Sequence, residues 1–200
     1  MSQAIDFYFD FSSPYGYLGS ERIDAIAEKH DCRVIWRPYL LGVVFKQLGT
    51  SPLISQPVKG PYSRHDLMRS ARLYGITFNI PDPFPVNSLA ACRAYYWLEA
   101  EDPALAKQLA QALYRGYFVD NRNLGEADVV VETAASLGIE KQAVSAALHD
   151  SKVKARLRTE VEAALEKGVF GSPFCVYGDQ QFWGCDRMDH LDKWLATGGW

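Results

Sequence analysis

Three short stretches of this chain carry residue types whose spacing suits binding and catalysis. The first is Ser12-Ser13-Pro14, where two hydroxyls and a proline interrupt the apolar alternation of Ile5, Phe7, Phe9 and Phe11. Ser13 reads as a helix N-cap and Pro14 as the first helical residue, which accounts for both residue types. The same geometry also suits an anion, because a helix start presents free N–H groups and partial positive charge. A serine hydroxyl there donates one more hydrogen bond. The second stretch is Gly171-Ser172-Pro173, within "GVFGSPF". It reads either as a helix stop with a tight strand entry or as a loop offering the Ser172 backbone to an extended ligand. Pro173 is a candidate for a cis peptide. In the third, "FWGCDRM", Asp186 and Arg187 either cap the last helix and face water or together grip a zwitterionic amino-acid group.

The elements that must position these stretches follow from periodicity. Residues 4–11 alternate at period two and read as a strand. A helix is expected over 14–29, then a strand over 32–41 with Pro38 marking its edge, making a βαβ unit with a parallel pair. A Pro-, Gly- and Ser-rich loop over 49–62 precedes a helix expected to open at Ser63, with Asp66 completing a capping-box-like pair, and to stop at Gly75. Further helices are expected over 88–98, 102–118 (capped by Asp102 with Pro103), 126–137, 140–148 and 151–167. Strand signals return at 174–177 and 181–183 around a Gly178-Asp179 turn, followed by a helix over 187–195. The expected plan is βαβ, a block of helices, then ββα.

Bulk properties narrow the function. The chain has 200 residues, 48% hydrophobic and 22% charged, which places it among globular proteins of one ordinary domain or one domain with an insertion. A net charge of −3 with dispersed Lys and Arg gives no reason to expect nucleic acid or an anionic membrane as partner. Asp6 and Asp10 within the first apolar run argue against a signal peptide or anchor, and the expectation is a cytoplasmic protein. Cys32, Cys92, Cys175 and Cys185 form no C-x-x-C and no zinc spacing with the histidines, so no metal is expected. No P-loop, G-x-G-x-x-G, H-E-x-x-H or G-x-S-x-G is present.

Five segments in order, "DFYFDFSSPYGYL", "LLGVVFKQLG", "PVKGPYSRHDLMRSARLYGI", "FPVNS" and "GVFGSPF…FWGCDR", make the chain similar to a known family. It resembles the DsbA-like branch of the thioredoxin fold, and within it the 2-hydroxychromene-2-carboxylate isomerases and kappa-class glutathione transferases. The resemblance covers essentially the whole chain. It implies an α/β, thioredoxin-like fold with an inserted all-helical subdomain, here residues 1–44 and 169–200 around 45–168. Where redox members of this fold carry C-P-x-C, this chain has Ser13-Pro14-Tyr15-Gly16, so exchange through its own dithiol is not available. The resemblance implies glutathione as cofactor, with Ser13 contacting its sulfur. A thiol of ordinary pKa about 8.5 is lowered at a helix N-terminus, which supplies the nucleophile near neutral pH.

The same resemblance implies a cis Pro173, with the Ser172 backbone meeting the cysteinyl part of glutathione. Asp186 and Arg187 would meet its γ-glutamyl end, and Lys59 would lie near the glycyl carboxylate. Thr50 stands where asparagine is common in the family, and Cys185 where a Gln- or Asn-like residue is common. Phe84 and Tyr95 are candidate walls for an aromatic, electrophilic small-molecule substrate, although core packing is the favoured role for each taken singly. The implied activity is glutathione-dependent cis–trans isomerisation of an unsaturated aromatic keto acid by a homodimer in aromatic catabolism. The alternatives are a kappa-like transferase that releases the conjugate, and a non-catalytic thioredoxin-like binding module in which Ser13 is only a cap.

Overall fold

The computed structural model describes residues 3–200; residues 1 and 2 of the expected first segment lie outside them. β1 (Ile5–Phe9) is the centre of a four-stranded mixed sheet of order β2-β1-β3-β4. It pairs in parallel with β2 (Val34–Pro38), from Ile5 opposite Val34 to Phe9 opposite Pro38. On its other side it pairs antiparallel with β3 (Phe174–Tyr177), which forms a hairpin with β4 (Gln180–Trp183). A central strand has both faces covered, which is why Tyr8 is buried as well as Ile5, Phe7 and Phe9. Pro38 can close β2 because that strand is an edge and needs no further N–H there. The expected βαβ and ββα ends therefore share one sheet.

The expected helix over 14–29 is two helices, α1 (Pro14–Ser20) and α2 (Ile23–Lys29). Arg22 explains the break. Its guanidinium donates to the Cys185 carbonyl at 2.8 Å, pairs with Asp189 and stacks 4.1 Å over the Tyr74 ring, so the backbone turns to deliver it. The strand expected to reach residue 41 stops at Pro38, and α3 (Leu41–Gln47) follows, a helix not expected from "LGVVFKQ". Its Val43-Val44-Phe45 run has little helical propensity. Its first N–H, from Leu41, is instead satisfied by the Asp10 carboxylate at 2.7 Å. α3 also spans the expected segment boundary between residues 44 and 45.

α4 (Lys59–Tyr74) begins a turn earlier than expected, so Ser63 and Asp66 are not a capping box. Ser63 is buried within the helix, and the Asp66 carboxylate accepts from the Tyr15 hydroxyl at 2.8 Å. Gly75 ends α4 in the left-handed region, φ 67°, as expected of a C-terminal glycine. The helices α5 (Leu89–Glu99), α6 (Pro103–Phe118), α7 (Ala127–Ser136), α8 (Lys141–His149) and α9 (Ser151–Glu166) lie within a residue or two of expectation. A short 3-10 turn, Cys185–Arg187, leads into α10 (Met188–Thr197). The helical block and the sheet share one core. Tyr114 of α6 packs on Phe9 and Phe11, and the hydroxyls of Tyr95 and Tyr96 donate to the Trp36 and Pro38 carbonyls.

Candidate functional site

The site lies where β1 ends, α1 begins and the loop before β3 passes beneath both. Ser13 caps α1 as expected, its Oγ accepting the Gly16 N–H at 3.0 Å. The same hydroxyl donates to the Ser172 carbonyl at 3.0 Å, and the Ser172–Pro173 peptide is cis. Two residues 159 positions apart in sequence thus meet directly. Both serines are close to fully covered, Ser13 at 7% and Ser172 at 8% exposure. Pro173 lies against α1 at Gly19, where an added Cβ would stand 2.8 Å from its ring.

Asp10 ties these parts together. Its backbone N–H donates to Ser172 Oγ at 3.0 Å, and its carbonyl accepts the Ser13 N–H at 2.8 Å and the Tyr114 hydroxyl at 2.9 Å. Its carboxylate accepts the N–H groups of Ser12 and Leu41, each at 2.7 Å. Burial raises its pKa above the ordinary 3.8, while the two N–H bonds oppose that shift. Close packing adds to the constraint, because a Cβ on Gly16 would stand 2.6 Å from both Ser172 Oγ and the Tyr114 hydroxyl. Tyr39, from the link after β2, donates to the Gly171 carbonyl at 2.7 Å. Sequence reasoning passed over Asp10, Gly16, Tyr39 and Tyr114. Only Asp10 left a local trace, as a short acid two residues before an exposed turn N–H.

The outer residues are arranged differently. Asp186 and Arg187 sit in the 3-10 turn and pair with each other at 2.8 Å, with both side chains about half exposed or more. Their turn is tied to the inner site, since Gly184 N–H donates to the Pro173 carbonyl at 2.9 Å. Lys59 is the exposed first residue of α4, and that helix reaches the start of α1 through the Tyr15–Asp66 bond. Thr50 is exposed beyond α3, its N–H closing that helix on the Phe45 carbonyl at 2.9 Å. Phe84 is half-buried against Tyr117 and Phe118, in a loop held to Ser12 by the Val86 N–H at 3.0 Å. Tyr95 is a correction: at 3% exposure, with its hydroxyl spent on the Trp36 carbonyl, it is core and not a substrate wall.

The chain's own thiols are poor nucleophiles at three of four positions. Burial pushes Cys175 and Cys185 up to about 12, with the Asp186 carboxylate adding to the shift at Cys185, and raises Cys92 as well. Two open surface hollows of about 440 and 580 Å³ have neither Ser13 nor Ser172 in their walls. No helix among the described residues is long and apolar enough to cross a membrane.

A family model described as DSBA-like thioredoxin domain matches residues 4–196. The chain belongs to this DSBA-like family. A solved 2-hydroxychromene-2-carboxylate isomerase superimposes on this DSBA-like chain with TM-score 0.87 at 26% identity, covering 96% of this chain and 94% of the other. In sequence it is 28% identical to the 2-hydroxychromene-2-carboxylate isomerase of Sphingobium xenophagum, over 98% of this chain and 99% of the relative. It is 26% identical to human glutathione S-transferase kappa 1, over 98% and 94%. The cytosolic disulfide reductase DsbM of Pseudomonas aeruginosa, solved with GSH, shares the fold with TM-score 0.66 at 19% identity, covering 96% of each chain.

Proposed function

We propose that this protein is a glutathione-dependent isomerase of the 2-hydroxychromene-2-carboxylate type, acting on an unsaturated aromatic keto acid. The observation that carries this reading is the Ser13 hydroxyl on the Ser172 carbonyl, at a site with no dithiol and with buried thiols nearby. The donor set fits the group. Ser13 offers a hydroxyl proton, Ser172 a carbonyl before the cis proline, and Asp186, Arg187 and Lys59 offer charges suited to a zwitterion and a carboxylate. Bound glutathione supplies the nucleophilic thiol, added to and then eliminated from the substrate without net redox change.

The chain's part is to exchange one internal hydrogen bond for two external ones. With glutathione bound, Ser13 Oγ would turn its proton from the Ser172 carbonyl toward sulfur, and the freed carbonyl would be open to a backbone N–H of the tripeptide. Gly16 N–H continues to orient the serine oxygen at 3.0 Å. α1 has only seven residues, its first residue Pro14 has no N–H, and the Gly16 N–H is held by Ser13 Oγ, so the stabilisation comes mainly from this hydroxyl and not from a long dipole. Phe84, beside the Ser12-anchored loop, is the remaining candidate wall for an aromatic substrate.

The test is to mix the protein with glutathione and 2-hydroxychromene-2-carboxylate. Conversion to the open-chain trans isomer with no loss of glutathione is the expected result, with at least a tenfold drop in Ser13→Ala. Consumption of glutathione with a chloro-nitroarene and no isomerisation would establish instead the kappa-like transferase, which the 26% match to the human enzyme favours as the second reading. Absence of glutathione binding by calorimetry would leave a binding module.

A further inference from the structure

Three carboxylates border the site, and two of them have cations. Asp66 pairs with Arg69 and accepts from Tyr15, and Asp186 pairs with Arg187. Asp10, at 5% exposure, forms no ion pair among the described residues. The titratable groups facing it are Tyr39, Cys92 of α5, and Tyr114 and Tyr117 of α6. All four are acids that stay neutral near pH 7, pushed up mainly by burial and further by the Asp10 charge. No lysine, arginine or histidine stands among them. Asp10 is nevertheless part of the turn that holds Ser13: its carboxylate accepts the Ser12 N–H and its backbone carbonyl the Ser13 N–H.

A second anion placed beside Ser13 meets this uncompensated charge in a poorly hydrated region, where like charges repel strongly. We propose that Asp10 balances the charge of the site: when the thiol of bound glutathione loses its proton beside Ser13, the Asp10 carboxylate gains one. The S–H bond breaks with its electron pair left on sulfur, an O–H bond forms on Asp10, and no proton leaves the complex. Each oxygen of a protonated Asp10 keeps a lone pair, so the Ser12 and Leu41 N–H bonds survive the change. Elimination from the substrate returns the thiolate, which takes the proton back from Asp10 before glutathione leaves, so the site resets without drawing a proton from solvent. This inference rests on the glutathione reading above.

Proton counting tests it on the wild-type protein. Glutathione binding is followed near pH 7 by calorimetry in two buffers of different ionisation enthalpy, with thiolate read by ultraviolet absorbance. Thiolate formation with close to zero protons released is expected; thiolate formation with about one proton released overturns the proposal. Binding of glutathione as the neutral thiol also overturns it. In Asp10→Asn, about one proton should appear for each thiolate formed. If the wild type binds no glutathione, the functional reading fails, and Asp10 is judged by Ser13→Cys instead. Titration of that cysteine should give a pKa about one unit lower when Asp10→Asn is added, and equal values in the two backgrounds would sink the idea.

Discussion

The inner and outer parts of this site are built on opposite terms. The inner part, Asp10, Ser13, Gly16, Tyr114 and Ser172, is buried, close-packed and hydrogen-bonded within itself. The outer part, Lys59, Asp186 and Arg187, is exposed, and its charges have water or each other as partners. An inner residue therefore contributes to folding whether or not a ligand is present, and changing it alters stability and function together. An outer residue contributes little to folding and matters once a ligand is bound. Under the glutathione reading proposed above, the difference separates what holds the site's shape from what would select its occupant.

The strongest way to break this comparison is at Gly16. A methyl there meets two buried hydroxyls that are themselves held by the Asp10 backbone, so neither can move aside. Gly16→Ala should cost about 1–2 kcal/mol in urea unfolding, even after a helix-propensity gain of roughly 1 kcal/mol. Gly171→Ala gives the control: this glycine is buried too, but its Cβ direction faces an exposed side chain. Its methyl would land on the half-exposed Trp183 indole, which can swing out, so the loss should stay within about 1 kcal/mol. Equal losses at the two glycines would contradict the distinction.

Ser13→Ala should lower stability by about 1 kcal/mol through loss of the cap and of the bond to Ser172. Asp186→Ala and Arg187→Ala should stay within about 0.5 kcal/mol of wild type in the same assay. Calorimetry should nevertheless show each of these two outer variants weakening glutathione affinity, by roughly tenfold for a charged contact.

The pH dependence of stability sharpens the contrast further. Asp10's folded pKa is raised above 3.8 by burial, so the folded state holds the proton longer than the unfolded chain. Its contribution is fully present below pH 3.8 and is lost as pH rises through the folded value. Wild type should thus lose stability relative to Asp10→Asn as pH rises from that point, read as a difference in slope. Half-buried Asp192 runs the other way. Hydrogen bonds from Lys29 and His30 lower its pKa below 3.8, so its contribution is present above that value and disappears as pH falls through the folded one. Asp192→Asn should flatten only the acid limb of the curve, the smallest of these effects.

Much of this was legible in residue order alone. The β1 alternation, the Asp102 cap with Pro103, the Gly75 stop and the Gly178 hairpin all follow local rules, and the elements appear within a residue or two. Ser13 and Ser172 also stood out, because a serine before proline at a strand–helix or loop–strand junction is a local pattern. What residue order could not show is whatever depends on a partner far along the chain. α3 has poor intrinsic propensity and forms with its first N–H on Asp10, 31 positions away. The helix over 14–29 breaks because Arg22 must reach Cys185 and Asp189. Asp66 looks like a capping residue in sequence and serves as the acceptor for Tyr15 in space.

The sequence by itself determined the element order, the missing cysteines of the redox position and the serine that replaces the first of them, since these are facts of residue type and spacing. Tertiary structure alone decided that Ser13 donates to Ser172 and that one buried aspartate, without a cation among the described residues, supports both. The physical reason is that a buried polar group must find a partner wherever the packed chain brings one, and its distance in sequence does not enter.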